Sequence, residues 1–226
     1  MATVVHEPPR GASGHVPSTP EDGGTGGRRN LVPAGGRARV LQDDSSPASR
    51  TGIWVGIAAI TMTFLAFTSA MVVRQGASMD WRHLALPRIL YFNTLVLLLS
   101  SVTLEVARRR FRSFIYGAEG QRVATQRALY ATLGLGLLFI AGQYMAWLQL
   151  KAEGLYLATN PSSSFFYVLT AVHGLHVLGG LLGLIYVIRK LNRSVLRRST
   201  LNATSHYWHF MDILWVYLLL VLSMKL

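Results

Sequence analysis

His206, His209 and Asp212 stand three residues apart at the start of the last apolar segment, HYWHFMDILWVYLLLVLSMKL, from His206 to Leu226. On a helix that spacing lays them along one face, while Trp208, Trp215 and Tyr217 turn mostly elsewhere. Imidazoles and a carboxylate in such a row could hold a metal or haem, pass protons, or bind neighbouring helices by hydrogen bonds. An ionisable stripe is costly in hydrocarbon, so it should face protein or a polar cavity.

Further polar groups lie upstream. His173-Gly-Leu-His176 supplies a second imidazole pair. Glu105 is the one carboxylate of its apolar run and comes just before Arg108-Arg109-Arg110. It is open either to solvation and Arg pairing or to an inward contact with another helix. Asn93, Ser100, Ser101 and Thr103 on the same run suit close packing in a bundle. Gln143, near Trp147 and the small residues Gly134, Gly136 and Gly142, needs a partner if buried, and a core polar contact is its expected role.

The elements that position these groups are apolar blocks. The chain has 226 residues, 51% of them hydrophobic, gathered into long runs rather than spread at amphipathic spacing, which indicates an all-α polytopic membrane protein. Five transmembrane helices are expected, at about 53–73, 89–107, 128–150, 165–188 and 206–225, each able to cross a hydrocarbon core of ~30 Å. Residues 1–50, rich in Gly, Pro, Ser and Arg and without periodicity, are expected to be a disordered cytoplasmic tail. The tail has no apolar signal region, and Glu7, Glu21, Asp22, Asp43 and Asp44 make it a poor mitochondrial transit peptide, which favours a bacterial cytoplasmic membrane over the mitochondrial inner one.

The formal charge of +12 sits in the tail and loops. Arg10, Arg28, Arg29, Arg37, Arg39 and Arg50 lie in the tail, Arg108 to Arg127 form the second loop, and Arg189 to Arg198 form the fourth. The other side holds Arg74, Arg82, Arg88, Lys151 and Lys225. Five helices with the amino terminus cytoplasmic and the carboxy terminus outside put every basic-rich segment inside. Such placement fits anionic lipid and argues against nucleic acid, for which no binding motif is present. With no cysteine in the chain, thiolate metal sites and iron–sulfur clusters are excluded.

Depth then separates the histidines. His176 lies roughly 15 Å below the outer surface, and His206 and His209, entering from inside, lie on the order of 10 Å deeper. No metal or haem is therefore expected in this chain, and the histidines should be hydrogen-bonded core or interface groups. Glu105 ends its helix near the level of His206 and His209, so a cytoplasmic-side cluster of Glu105, His206, His209 and Asp212 is expected, hydrogen-bonded and able to accept protons.

LPRILYFNTLVLLLSSVTLEVA (Leu86 to Ala107), GLLFIAGQYMAWLQL (Gly136 to Leu150), FFYVLTAVHGLHVLGG (Phe165 to Gly180) and YWHFMDILWVYL (Tyr207 to Leu218) recur together in order and spacing. With them the chain from about Trp54 onward resembles subunit III of the haem–copper respiratory oxidases, in a short five-helix form. The resemblance marks Asn93, Gln143, Trp147, His173, His176, Trp208 and Trp215 as buried polar or packing residues of the family's motifs. It implies a non-catalytic subunit of a proton-pumping oxidoreductase, with cytochrome c or quinol as donor. Haem and copper would be held by its partners, subunit I mainly, with subunit II and small subunits beyond. It also implies bound phospholipid and support for proton uptake. Longer relatives carry two more helices ahead of this bundle, and the family's buried carboxylate is replaced here by Ile60. An accessory protein of nitric-oxide reductase shares the bundle and stays open as an alternative. A small membrane transporter is the more distant one, lacking the expected repeat and interrupted helices.

Overall fold

The computed structural model describes residues 47–77, 81, 87–115, 120–157 and 160–225, and all the regular secondary structure among these residues is helical. The tail expected over 1–50 lies outside these residues, apart from its last four, which open the first helix. The helices are α1 (Pro47–Ala77), α2 (Ile89–Ile115), α3 (Gln121–Ala152), α4 (Pro161–Asn192) and α5 (Arg198–Lys225). All five are long and apolar enough to cross a membrane.

Each helix outruns its expected span at one end or both, because hydropathy marks where hydrocarbon stops and not where backbone hydrogen bonding stops. Beyond the apolar runs, core-facing residues continue the helices: Phe111 on α2, Thr125 on α3, Leu191 on α4 and Leu201 on α5 are all buried. Helix α4 begins at Pro161, where a missing N–H costs nothing, and the Asn160 side chain accepts a hydrogen bond from the Ser163 N–H at 2.9 Å. It ends with Ser194 at φ 56 and bonds from Ser194 N–H to Leu191 O and from Val195 N–H to Lys190 O. Arg122 of α3 donates to the Leu191 and Asn192 carbonyls at 3.2 and 3.1 Å, capping α4 from the neighbouring helix.

Helices α2, α3, α4 and α5 form a closed ring, each packed on the next and α5 returning to α2, while α1 lies against α4 and α5. Ring neighbours run antiparallel. Thr103 meets Thr132 at 2.8 Å and Asn93 lies against Gly142, so numbers fall along α2 as they rise along α3. The same inversion holds between α2 and α5, where Ser100 pairs with Trp208 and Thr94 with Trp215. Gln75 and Trp81 both donate to the Lys225 carbonyl, which brings the ends of α1 and α5 together. Outward faces carry exposed aliphatics such as Leu65, Leu137, Leu182 and Ile213, as a lipid solvent allows.

The ring closes tightly around the Trp208 indole. A Cβ added at Gly136 of α3 would stand 2.8 Å from Trp208 Cη2 and 2.8 Å from Leu181 Cδ2, and one at Gly180 of α4 would stand 3.1 Å from the indole. At Gly134 it would meet nothing within 4 Å. Gly136→Ala should therefore cost about 1–3 kcal/mol through overpacking, while Gly134→Ala leaves stability unchanged or slightly raised. Thermal unfolding of both variants in detergent checks this, and equal midpoints would contradict the packing described.

Candidate functional site

The polar bonds between α2 and α5 form a ladder. Trp215 Nε1 donates to Thr94 Oγ1 at 3.0 Å, and Trp208 Nε1 donates to Ser100 Oγ at 3.0 Å. Next to Ser100, Ser101 Oγ meets His209 Nδ1 at 2.6 Å and also donates to Asp212 Oδ2. Both seryl oxygens thus face α5, one toward its buried side and the other toward its outer edge.

A serine hydroxyl has one proton to give. With Asp212 ionised that proton goes to its carboxylate and His209 Nδ1–H donates to Ser101 Oγ; with Asp212 protonated the carboxyl donates to Ser101 Oγ, which then donates to His209 Nδ1. The arrangement is a chain of imidazole, hydroxyl and carboxyl, in which the His209 tautomer and the protonation of Asp212 change together. Such a chain can hold a proton and hand it along hydrogen bonds already in place.

Of the four residues expected to cluster, the structure brings together His209 and Asp212. Glu105 instead accepts from Arg108 at 2.8 Å and from Arg109 at 2.9 Å, both on its own helix. His206 is exposed. The reason is helical geometry. Taking Trp208 as the inward direction, Asp212, His209 and His206 lie about 40°, 100° and 160° around α5 at its ~100° per residue, so the stripe winds from the core to the outer surface. Glu105 and Ser101 share a face of α2 one turn apart, and Ser101 is the one at the level of His209 and Asp212. Thr94 was not singled out, and Ser101 was read only as a residue suited to close packing, because a lone hydroxyl on an apolar helix carries no other signal. The i, i+4 relation of Ser101 to Glu105 is the signal that pointed to that face.

The remaining candidates hold the ring together. Trp147 of α3 donates to Thr170 of α4 at 3.1 Å, and Tyr207 of α5 donates to the His176 carbonyl at 2.9 Å. His176 Nδ1 pairs with the Val172 carbonyl of its own helix at 2.7 Å. His173 departs from the expected hydrogen-bonded histidine. It is buried, stacks on Trp215 with centroids 5.1 Å apart, and meets Phe64 and Phe139 edgewise. Those rings offer it no lone pair, and neither of its nitrogens has a partner among the described residues. Gln143, expected to make a core polar contact, is likewise buried with neither amide atom paired among the described residues, and so is Asn93 Nδ2. Ile60 packs half-buried against the core.

Packing pairs also measure depth. Gly180 lies against Trp208 and Gly183 near Thr204, so His206 is level with about residue 182 of α4, six residues or about 9 Å from His176 at 1.5 Å per residue. Among the described residues no three His, Cys, Asp or Glu side chains come together.

Comparison with known proteins agrees with this architecture. The family model of cytochrome c oxidase subunit III matches residues 57–224. A probable cytochrome c oxidase subunit 3 of Mycobacterium leprae is 35% identical over 133 residues, 57% of this chain and 62% of the relative. The corresponding Nocardia farcinica protein is 33% identical over 127 residues, 54% of this chain and 59% of the relative. The cytochrome c oxidase subunit 3 of Synechocystis is 27% identical over 181 residues, 75% of this chain and 72% of the relative. The chain thus spans about six tenths of the length of the first two relatives. With a match running from within α1 to the last turn of α5, the chain belongs to the cytochrome c oxidase subunit III family.

Proposed function

We propose that this chain is the non-redox third subunit of a haem–copper terminal oxidase, which reduces oxygen to water and pumps protons. It stabilises the catalytic subunit I, contacts subunit II and any small subunits, and supports proton uptake, while haem and copper reside in the partners. The family match over 57–224, which takes in all but the start of the five-helix bundle, carries this reading.

The orientation follows from charge. The ends of α2 and α4 and the starts of α3 and α5 share the basic side, so α1 enters from the cytoplasm and α5 ends outside. The membrane is the cytoplasmic membrane of a bacterium. On the basic side, Arg108, Arg109, Arg112 and Arg198 line a cavity of about 560 Å³ between α2 and α5 together with Glu105, and the excess of four cations over this one carboxylate supports contact with a phospholipid headgroup. The chain from His209 through Ser101 to Asp212 supports the proton role.

Solubilised in mild detergent and purified by a tag on this chain, the complex should carry haem and copper in its partners, and the separated chain should show no haem absorption. Recovery of the chain without a haem protein, or with stoichiometric haem of its own, would overturn the reading. Orientation is tested independently, since the chain has no native cysteine. Ser113→Cys and Arg193→Cys should react with an impermeant maleimide from the cytoplasmic side only, and Glu153→Cys from the outside only; reversed labelling refutes the topology. For the proton role, Ser101→Ala removes the shared partner of His209 and Asp212, a loss of about 1–3 kcal/mol. In the intact oxidase it should slow proton uptake during turnover. An unchanged uptake rate would take the chain of bonds out of the mechanism.

A further inference from the structure

Two openings are stacked on the seam between α2 and α5. One is the basic cavity of about 560 Å³. The other, of about 330 Å³, is a groove on the outer surface with Leu98, Ile213 and Val216 as walls and Ser101, His209 and Asp212 beneath them. Ser101 to Arg108 on α2 and His209 to Asn202 on α5 are both seven residues, and the two helices run antiparallel. The cavity therefore lies about 10 Å from the level of Ser101 and His209, along the same seam and toward the basic side.

These heights match the two parts of a lipid. The apolar run of α2 ends at Ala107 and that of α5 begins at His206, so Arg108, Arg109 and Arg112 follow the one and Arg198 precedes the other. That is the level of the headgroup layer, about 5–7 Å thick on each side of the hydrocarbon. The groove opens inside the hydrocarbon, and its polar groups turn inward: Asp212 is 4% exposed, and the Ser101 hydroxyl is taken up by His209 and Asp212. What it shows to the bilayer is aliphatic, with Leu98, Ile213 and Val216 at 46%, 68% and 44% exposed.

Charge selects the headgroup. Glu105 accepts from Arg108 at 2.8 Å and from Arg109 at 2.9 Å, and four guanidinium groups against this one carboxylate leave three positive charges in excess. A zwitterionic headgroup would bring an ammonium among these guanidiniums, whereas a phosphate esterified to an uncharged alcohol brings only the charge they attract. A free anion has nothing to lay against the aliphatic walls, so a diacyl lipid is the occupant that meets both openings.

We propose that the α2–α5 seam is a selective site for an anionic phospholipid, with its phosphate in the arginine cavity and one acyl chain in the groove over Ser101, His209 and Asp212. This rests on the headgroup contact proposed above and adds the charge class of the lipid and the path of its chain.

The test uses the complex purified through this chain and placed in nanodiscs of phosphatidylcholine with a minor share of phosphatidylglycerol. A photo-crosslinking residue replaces Asn202 in the cavity or Ile213 in the groove. The control is Leu137 on α3, which is 54% exposed and level with Leu98 by the Thr103–Thr132 pairing. Mass spectrometry of the adducts should show phosphatidylglycerol enriched over its bulk share at Asn202 and Ile213, and the bulk ratio at Leu137. Exposed Arg112 is then changed. Arg112→Gln should lower the enrichment about fivefold, the contribution of one cation beside an anionic headgroup, and Arg112→Lys should preserve it. The bulk lipid ratio at Asn202 and Ile213, or equal enrichment in Arg112→Gln and the unaltered chain, overturns the proposal. So does loss of the adducts on adding inorganic phosphate, which marks a site for free anions, or an adduct with another protein at Ile213. Phosphatidylcholine adducts at the bulk ratio at Asn202 leave the headgroup contact standing without its selectivity, whereas no lipid adduct there removes both.

Discussion

The Trp208 indole is the contact on which the ring depends. It is 1% exposed, gives its N–H to Ser100 of α2, and lies against Gly136 of α3 and Gly180 of α4, so one side chain of α5 touches all three other members of the ring. Lipid tails are as apolar as leucine, and burying aliphatic surface inside the bundle gains little over leaving it in the bilayer. Shape fit and hydrogen bonds must hold the helices instead. Two glycines supply the space for a flat ring, and a serine supplies the acceptor its N–H needs in a medium without water. Seven residues on, Trp215 repeats the arrangement, with its N–H on Thr94, Phe139 at 5.0 Å and His173 at 5.1 Å.

These two indoles also explain why α5 can close the ring against α2. The two helices are not neighbours in sequence, so no short loop holds them side by side. Of the ring's contacts, this one alone joins helices without a direct connection, and among the described residues it is held by four bonds between side chains, at Thr94, Ser100 and Ser101. Between α3 and α4, which a short loop already links, Trp147 and Thr170 make a corresponding bond, assisted by Arg122 at the other end.

Hydropathy made the number and order of the helices legible, because a run of apolar residues is a one-dimensional signal. The ends were not, since Phe111, Thr125 and Leu201 extend the helices by burial on one face, and a single buried residue per turn is hidden among polar neighbours. His209 and Asp212 were legible as a pair from their spacing. Glu105 drew notice as the only carboxylate of its run, yet it belongs to Arg108 and Arg109, which stand three and four residues on and reach it without crossing to another helix. The partner that does cross is Ser101, whose role depends on the register of α2 against α5, and register is set by the tryptophans rather than by any polar residue. For Gln143 and His173, burial was legible and partners were not: aromatic rings fill the space around His173, and packing volume took precedence there over pairing.

Fold and function meet on the circumference of α5. With Trp208 and Trp215 pinned inward, Asp212 falls between them in height and about 40° to one side by the helical period. That small rotation decides its surroundings: far enough from the indoles to escape the apolar centre, and close enough to be almost wholly buried against α2. His209, a further ~60° around, reaches the edge of the bundle, and His206, another ~60° on, leaves it. A proton held by the chain of bonds therefore sits between a rigid interior and the outer surface of the bundle. The same two indoles that close the ring fix the direction in which His209 and Asp212 look. Displacing Trp208 would turn α5 and disperse the polar groups without altering one of them, so the seam's chemistry depends on the packing of the opposite side of its own helix.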